Sequence, residues 1–153
     1  MINNYELVAS GEKWIQYDVK STYRAIKEII EDTKSSLILT IYIISNDEIL
    51  EKIKDALDRN VEVEVFIYNK GKVFTDVTKK ILKFKEEYHN ITVYEITEKM
   101  LHAKVLISDK RHTLIGSANF TVQAMHENYE LGILVDDAEL AYNAEKIIKG
   151  LIK

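Results

Sequence analysis

The 153 residues, 46% hydrophobic and 30% charged, suffice for one compact core and are too few for two, so a single domain over residues 1–153 is expected. A net charge of −4 excludes a protein that grips nucleic acid with its whole surface and leaves room only for a local basic cleft. Cysteine is absent, the start Met1-Ile2-Asn3-Asn4-Tyr5-Glu6 lacks the basic and apolar regions of a secretory signal, and no apolar run approaches bilayer length. These features predict a soluble, cytoplasmic chain with no disulfide framework and no membrane segment.

In chain order, Ser21 or Thr22 can cap a helix that places Tyr23, Ile26, Ile29 and Ile30 on one face. Leu37 to Ile44 is a continuous apolar run of buried-strand type. Asn46 or Asp47 can start a second helix with Ile49, Leu50, Ile53 and Leu57 on one side, and Val61, Val63, Val65 and Ile67 then alternate as a strand. A third helix is expected from about Thr75 to Tyr88, burying Val77, Ile81, Phe84 and Tyr88, followed by an extended segment from Ile91 to Ile96. Strands are expected at Ala103 to Ser108, His112 to Ile115 and Tyr129 to Val135. An amphipathic helix with Leu140, Ala144, Ile147, Ile148 and Leu151 closes the chain. Successive β-α units favour parallel strands, and the short turn Asp109-Lys110-Arg111 favours a hairpin. The expectation is an α/β domain, layered α/β/α, with a mixed, largely parallel sheet.

The chemistry concentrates between Leu101 and Asp137. His102, Lys104 and Asp109 form an H-x-K-x4-D string, followed by Gly116-Ser117-Ala118-Asn119. A neutral imidazole can attack phosphorus, an ammonium can hold charged oxygens, and a hydroxyl, an amide and a Gly-rich turn can supply further donors. Residues two apart on a strand share a side, so His102 and Lys104 can face one cleft while Ala103 and Val105 face the core. Asp109, at a strand end by a turn, suits local backbone bonding and reads as mainly structural. Gly116 lets the chain bend tightly near the phosphate. Asn119 can also serve as a helix cap before Phe120-Thr121-Val122.

His102-Ala103-Lys104, Asp109 and Gly116-Ser117-Ala118-Asn119, with Asn128 and Glu130 downstream, resemble the HKD signature of the phospholipase D superfamily. In length the chain is most similar to the small single-motif bacterial endonucleases of that superfamily. The resemblance implies that His102 is a nucleophile forming a phosphohistidine, and that Lys104, Ser117 and Asn119 bind the phosphate. It implies that Glu130 is a carboxylate paired with the catalytic histidine, fixing its tautomer. An outward-facing strand acid is the alternative for Glu130, if Tyr129, Leu131 and Ile133 form the inner face.

A leaving alkoxide needs a proton, and one copy holds only one motif histidine. Either a second copy contributes its own His102 across a two-fold axis, or His89, His112 or His126 acts within the chain. Family precedent favours the homodimer. The two imidazoles would then titrate as a coupled unit and give a bell-shaped pH profile. A metal site built from His102, Asp109, His112 and Glu130 matches no familiar zinc spacing, so no metal and no cofactor are expected. The lysines at 70, 72, 79, 80, 83 and 85 cluster, and Lys79 to Lys85 read as a solvated helix face, with phosphate-backbone contact as the alternative.

The expected function is a metal-independent phosphodiesterase, with DNA as the first substrate. The alternatives are a phosphodiesterase acting on phospholipid, and a dimeric nucleic-acid-binding or assembly module that needs a recruiting protein partner.

Overall fold

Residues 4–69 and 76–153 are described by the structure, a computed structural model; the expected helix start at Thr75, and Lys70 and Lys72, lie outside them. The elements are β1 (Tyr5–Ser10), β2 (Lys20–Ser21), α1 (Thr22–Asp32), β3 (Ser36–Ile41), α2 (Asp47–Asp58), β4 (Glu62–Tyr68), α3 (Asp76–Glu87) and β5 (Ile91–Ile96). They continue as β6 (Val105–Ser108), β7 (His112–Gly116), α4 (Val122–His126), β8 (Glu130–Asp136) and α5 (Ala138–Lys149). Helix starts are set by side chains that satisfy free amide donors. Ser21 accepts from the Arg24 amide, Asn46 from Glu48 and Ile49, Thr121 from Ala124, and Asp137 from Leu140.

The strands form one sheet in the order β2-β1-β8-β7-β6-β3-β4-β5. Its mixed character matches the sequence expectation, but the parallel majority does not. β1–β2, β3–β4 and β4–β5 are parallel, whereas β1–β8, β8–β7, β7–β6 and β6–β3 are antiparallel. The reason is local: the β6–β7 connection is the three-residue turn Asp109-Lys110-Arg111, in which Asp109 and Lys110 both take positive φ (53° and 56°), and β8 returns directly alongside β7. Such a turn matches the strand twist and forces an antiparallel pair.

One face carries the larger core, where Leu39, Val65, Leu106 and Leu114 of the sheet meet Ile26 and Ile30 of α1, Ile49 and Ile53 of α2, Ile81 of α3 and Met125 of α4. Burying each such side chain contributes about 1.5–3 kcal/mol before chain entropy is counted. On the other face Ile38, Phe66, Val105 and Ile107 pack on Ala141 and Ile148 of α5. The α/β/α layering follows.

α5 departs from its expected buried stripe, since Ile147 is 77% exposed and Leu151 is also exposed. The helix lies on the smaller core through Ala141 and Ile148, and the apolar sheet residues Ile115, Leu131 and Leu7 stay uncovered. β1 and β2 were not expected from the sequence. Strand β6 starts at Val105 rather than Ala103, which alters how the motif is held.

Candidate active site

The motif residues gather at one end of the sheet, where β3 and β7 finish and β6 and β8 begin. Residues 101–104 precede β6 as irregular chain, so no ladder positions them. Thr40 does this instead. Its buried hydroxyl donates to the Ala103 carbonyl (2.8 Å) and accepts from the Val105 amide (2.9 Å), extending the β3–β6 pairing by a side chain where the backbone ladder stops. Ala103 is exposed rather than core-facing, while Val105 is buried as expected.

His102 is exposed and Lys104 half-buried. Lys104 Nζ lies 3.0 Å from His102 Nδ1 and 3.4 Å from Nε2, and donates to the His102 carbonyl at 2.8 Å. Burial of its stem pushes the Lys104 ammonium below the usual lysine range, and the nearby Glu130 carboxylate pulls the other way. The His102 ring packs against Tyr42, with centroids 4.7 Å apart, and Lys104 Nζ lies 5.8 Å over the same tyrosine ring.

The Gly116-Ser117-Ala118-Asn119 segment leaves the end of β7 beside them. The Gly116 amide donates to the Lys104 carbonyl (3.3 Å), which ties the two halves of the motif. Gly116 faces Gly132 across the β7–β8 ladder, and a Cβ on Gly116 would sit 2.9 Å from Gly132 Cα and 3.0 Å from the Leu131 carbonyl. The missing side chains leave a small apolar pocket bounded by Lys104, Gly116, Gly132, Val8 and Ile26.

Ser117 donates its hydroxyl proton to Glu130 Oε2 and accepts from the Leu131 amide at 3.1 Å. A hydroxyl has one proton, so Ser117 can donate to a phosphate only by releasing Glu130. Asn128 donates to the other carboxylate oxygen at 3.3 Å. Among the described residues Glu130 is thus held by Ser117 and Asn128, and no hydrogen bond joins it to His102. Strand alternation puts Glu130 on the same face as Gly132 and Leu134, with Tyr129 and Leu131 half-exposed on the other, so it is not the outward acid of the alternative reading. Asn119 is half-buried and its Oδ1 is buried without a partner.

Asp109 lies at the opposite end of β6, away from this cluster. Its carboxylate accepts from the amides of Lys34, Ser35 and Ser36 and from the Ser35 hydroxyl, at 2.7–3.2 Å. Partial burial alone would raise its pKa, but these donors together hold it below the usual carboxylate range. Lys110 and Arg111 share that far end, where Arg111 pairs with Asp136 at 2.5 Å.

His112 also sits there, 3.6 Å from Asp136, and His89 lies in the turn before β5. The His126 ring packs on Tyr23. The four candidate metal ligands are therefore dispersed, and among the described residues no group of three His, Asp or Glu side chains is placed to share an ion. On α3, Lys79 pairs with Asp76 and Lys80 with Asp47 on an exposed face.

Sequence reasoning missed Thr40 and Tyr42. Thr40 had a faint signal, as a hydroxyl inside the apolar run Leu37 to Ile44. Tyr42 had none, because a tyrosine at the end of such a run reads as core.

No helix among the described residues is long and apolar enough to cross a membrane. Compared with solved structures, the fold is similar to Nuc, a phospholipase D family member from Salmonella typhimurium, with a TM-score of 0.77 and 21% identity over 96% of this chain and 90% of that one. It is likewise similar to NucT from Helicobacter pylori, with a TM-score of 0.75 and 20% identity over 97% and 96%. Cardiolipin synthase A of Buchnera aphidicola subsp. Acyrthosiphon pisum is 24% identical over 90% of this chain, which spans only 28% of that protein's length. The family described as cardiolipin synthase, PLD-like domain, matches residues 26–152. With that match covering most of the sequence and the HKD residues inside it, the chain belongs to the PLD-like domain family.

Proposed function

We propose that residues 1–153 form one domain of a cytoplasmic, metal-independent phosphodiesterase that cleaves DNA through a phosphohistidine, in an active site shared by two copies. The observation that carries this reading is the placement of Lys104 Nζ 3.0 Å from His102 Nδ1 at the open end of the sheet. A nucleophile and a charge-holding cation then meet the same phosphate. On substrate binding Lys104 leaves the imidazole for the nonbridging oxygens, and Asn119 donates beside it. Ser117 joins them if the phosphate displaces Glu130.

The neutral imidazole of His102 attacks phosphorus. A P–N bond forms, the P–O bond to the leaving group breaks, and the alkoxide takes its proton from the protonated partner subunit's His102. That second imidazole, now neutral, removes a proton from water as the water attacks phosphorus. The P–N bond breaks and both histidines return to their starting states. One neutral and one protonated imidazole are required at the outset, which gives a bell-shaped pH profile.

Two copies are supported by the absence of a second histidine at the described site and by the uncovered apolar strip that begins next to Glu130. Leu131, Ile115 and Leu7 share one sheet face by their pairing and are 50%, 42% and 54% exposed. DNA is favoured by the resemblance to small single-motif endonucleases. The family match to cardiolipin synthase favours a second reading, a phosphodiester of a phospholipid head group.

A cleavage assay in EDTA across pH, comparing wild type with His102→Ala on single- and double-stranded DNA, RNA and phosphatidylcholine vesicles, separates these readings. DNA cleavage lost in the variant supports the proposal. Cleavage of vesicles alone moves the substrate to lipid. Binding without cutting at any pH, equal in the variant, points to a nucleic-acid-binding module that needs a recruiting partner. Dependence on added metal overturns the mechanism.

A further inference from the structure

The segment that follows β3 reaches both halves of the motif. Thr40 clamps the chain on either side of Lys104. Beyond it, the Ile43 carbonyl accepts from the Phe120 amide (3.2 Å), and the Ser45 and Asn46 amides donate to the Phe120 carbonyl (2.9 and 3.1 Å), one residue from Asn119. Tyr42 sits between these anchors. Its ring stacks on Tyr68, which is buried in the smaller core, with centroids 5.7 Å apart. It is thus fixed from below while meeting His102 and Lys104 above.

Among the described residues the His102 ring has two kinds of neighbour, the Lys104 ammonium and the Tyr42 ring. Under the phosphoryl-transfer reading, on which this inference rests, Lys104 must release the imidazole to hold the phosphate. Glu130 is held by Ser117 and Asn128 and makes no hydrogen bond to His102 among the described residues. When Lys104 departs, the tyrosine contact is the one that remains on the imidazole among the described residues of the chain.

We propose that Tyr42 is a positioning residue of the site, whose ring face holds the His102 imidazole in its attacking orientation while Lys104 moves onto the phosphate. The tilted packing, with rings at 56° and centroids 4.7 Å apart, is a favourable aromatic geometry. The same π face attracts the Lys104 ammonium, which lies 5.8 Å from its centroid. The phenol hydroxyl has no part in this, so phenylalanine should serve as well and an aliphatic residue should not.

The test compares wild type, Tyr42→Phe and Tyr42→Leu as full chains. Turnover of bis(p-nitrophenyl) phosphate gives kcat and KM, and NMR of ring-labelled histidine reports His102 motion with saturating inorganic phosphate present. Expected are a restrained His102 ring in wild type and Tyr42→Phe, and a freely reorienting ring in Tyr42→Leu. Expected too is a kcat loss of about 10–100-fold in Tyr42→Leu with KM within about twofold, since small misplacements of a reacting group cost that much. If Tyr42→Leu does not fold, Tyr42→Met, which fills irregular space, takes its place. A mobile ring in wild type, or an aliphatic variant with an equally restrained ring and unchanged kcat, overturns the inference. A wild type with no diesterase activity but with tyrosine-dependent ring restraint would instead fault the catalytic reading and leave the positioning intact.

Discussion

The two ends of strand β6 make the sharpest contrast in the molecule. At one end His102 and Lys104 sit on irregular chain, tethered by the Thr40 hydroxyl and by bonds to each other. At the other, Asp109 is gripped by the amides of Lys34, Ser35 and Ser36. A single sequence string, H-x-K-x4-D, therefore holds two unlike jobs about one strand length apart. The comparison teaches that spacing in a motif need not mean proximity at a site: the histidine and lysine belong to the proposed chemistry, and the aspartate to the fold.

Substitutions should separate the ends, with rate moving at one and stability at the other. His102→Ala should lower kcat by on the order of 10⁴-fold or more, with little change in thermal midpoint, because a nucleophile leaves and no core contact does. Single-turnover kinetics and a melting curve check both halves. Lys104→Met keeps the buried stem but removes the charge, and should cost about 10²–10³-fold in kcat, the usual loss for one transition-state charge donor.

At the far end, Asp109→Ala should cost about 2–3 kcal/mol of stability, since it leaves amide donors unpaired, while kcat of the folded fraction stays within a few-fold. Urea unfolding alongside the rate assay measures this. A rate loss matching that of Lys104→Met, with no loss of stability, would erase the contrast. Thr40→Val lies between the two, and about 1 kcal/mol of stability together with roughly tenfold in rate is expected from loss of its paired bonds.

The smallest effect is in the pH dependence of stability. The folded pKa of Asp109 is held below the ordinary carboxylate value of 3.8. Its contribution is therefore full above that value and fades as pH falls through the folded pKa. Asp109→Asn should remove this acid-side component and leave neutral-pH slopes unchanged, as urea midpoints from pH 2 to 7 would reveal.

Much of the fold was legible because it is written in local chemistry. Ser21 and Asn46 cap α1 and α2 as their side chains suggest, and the segment Ile91 to Ile96 forms β5 as its alternation indicates. The hairpin at Asp109-Lys110 was readable from turn residues. What escaped was non-local. β1 has its hydrophobic register set by β8, 120 to 130 residues away, and nothing near Tyr5–Ser10 announces that partner. The gathering of His102, Lys104, Ser117 and Glu130 at one sheet end follows the motif, but the bond that takes the Ser117 proton to Glu130 does not. Strand spacing could not show that Lys104 precedes its strand and depends on a threonine across the sheet.

The pairing of β1 with β8 sets an order of assembly. Ser10 lies opposite Glu130, and Val8 opposite Gly132, so the first strand, which has only the short β2 on its other edge, cannot complete its pairing until β8 has left the ribosome. Closing so long a loop costs chain entropy that must be given up before the β1–β8 contacts offset it, which slows this pairing relative to local ones. Until it occurs, the edge of β8 that begins at Glu130 stays open beside a motif segment that has already been made.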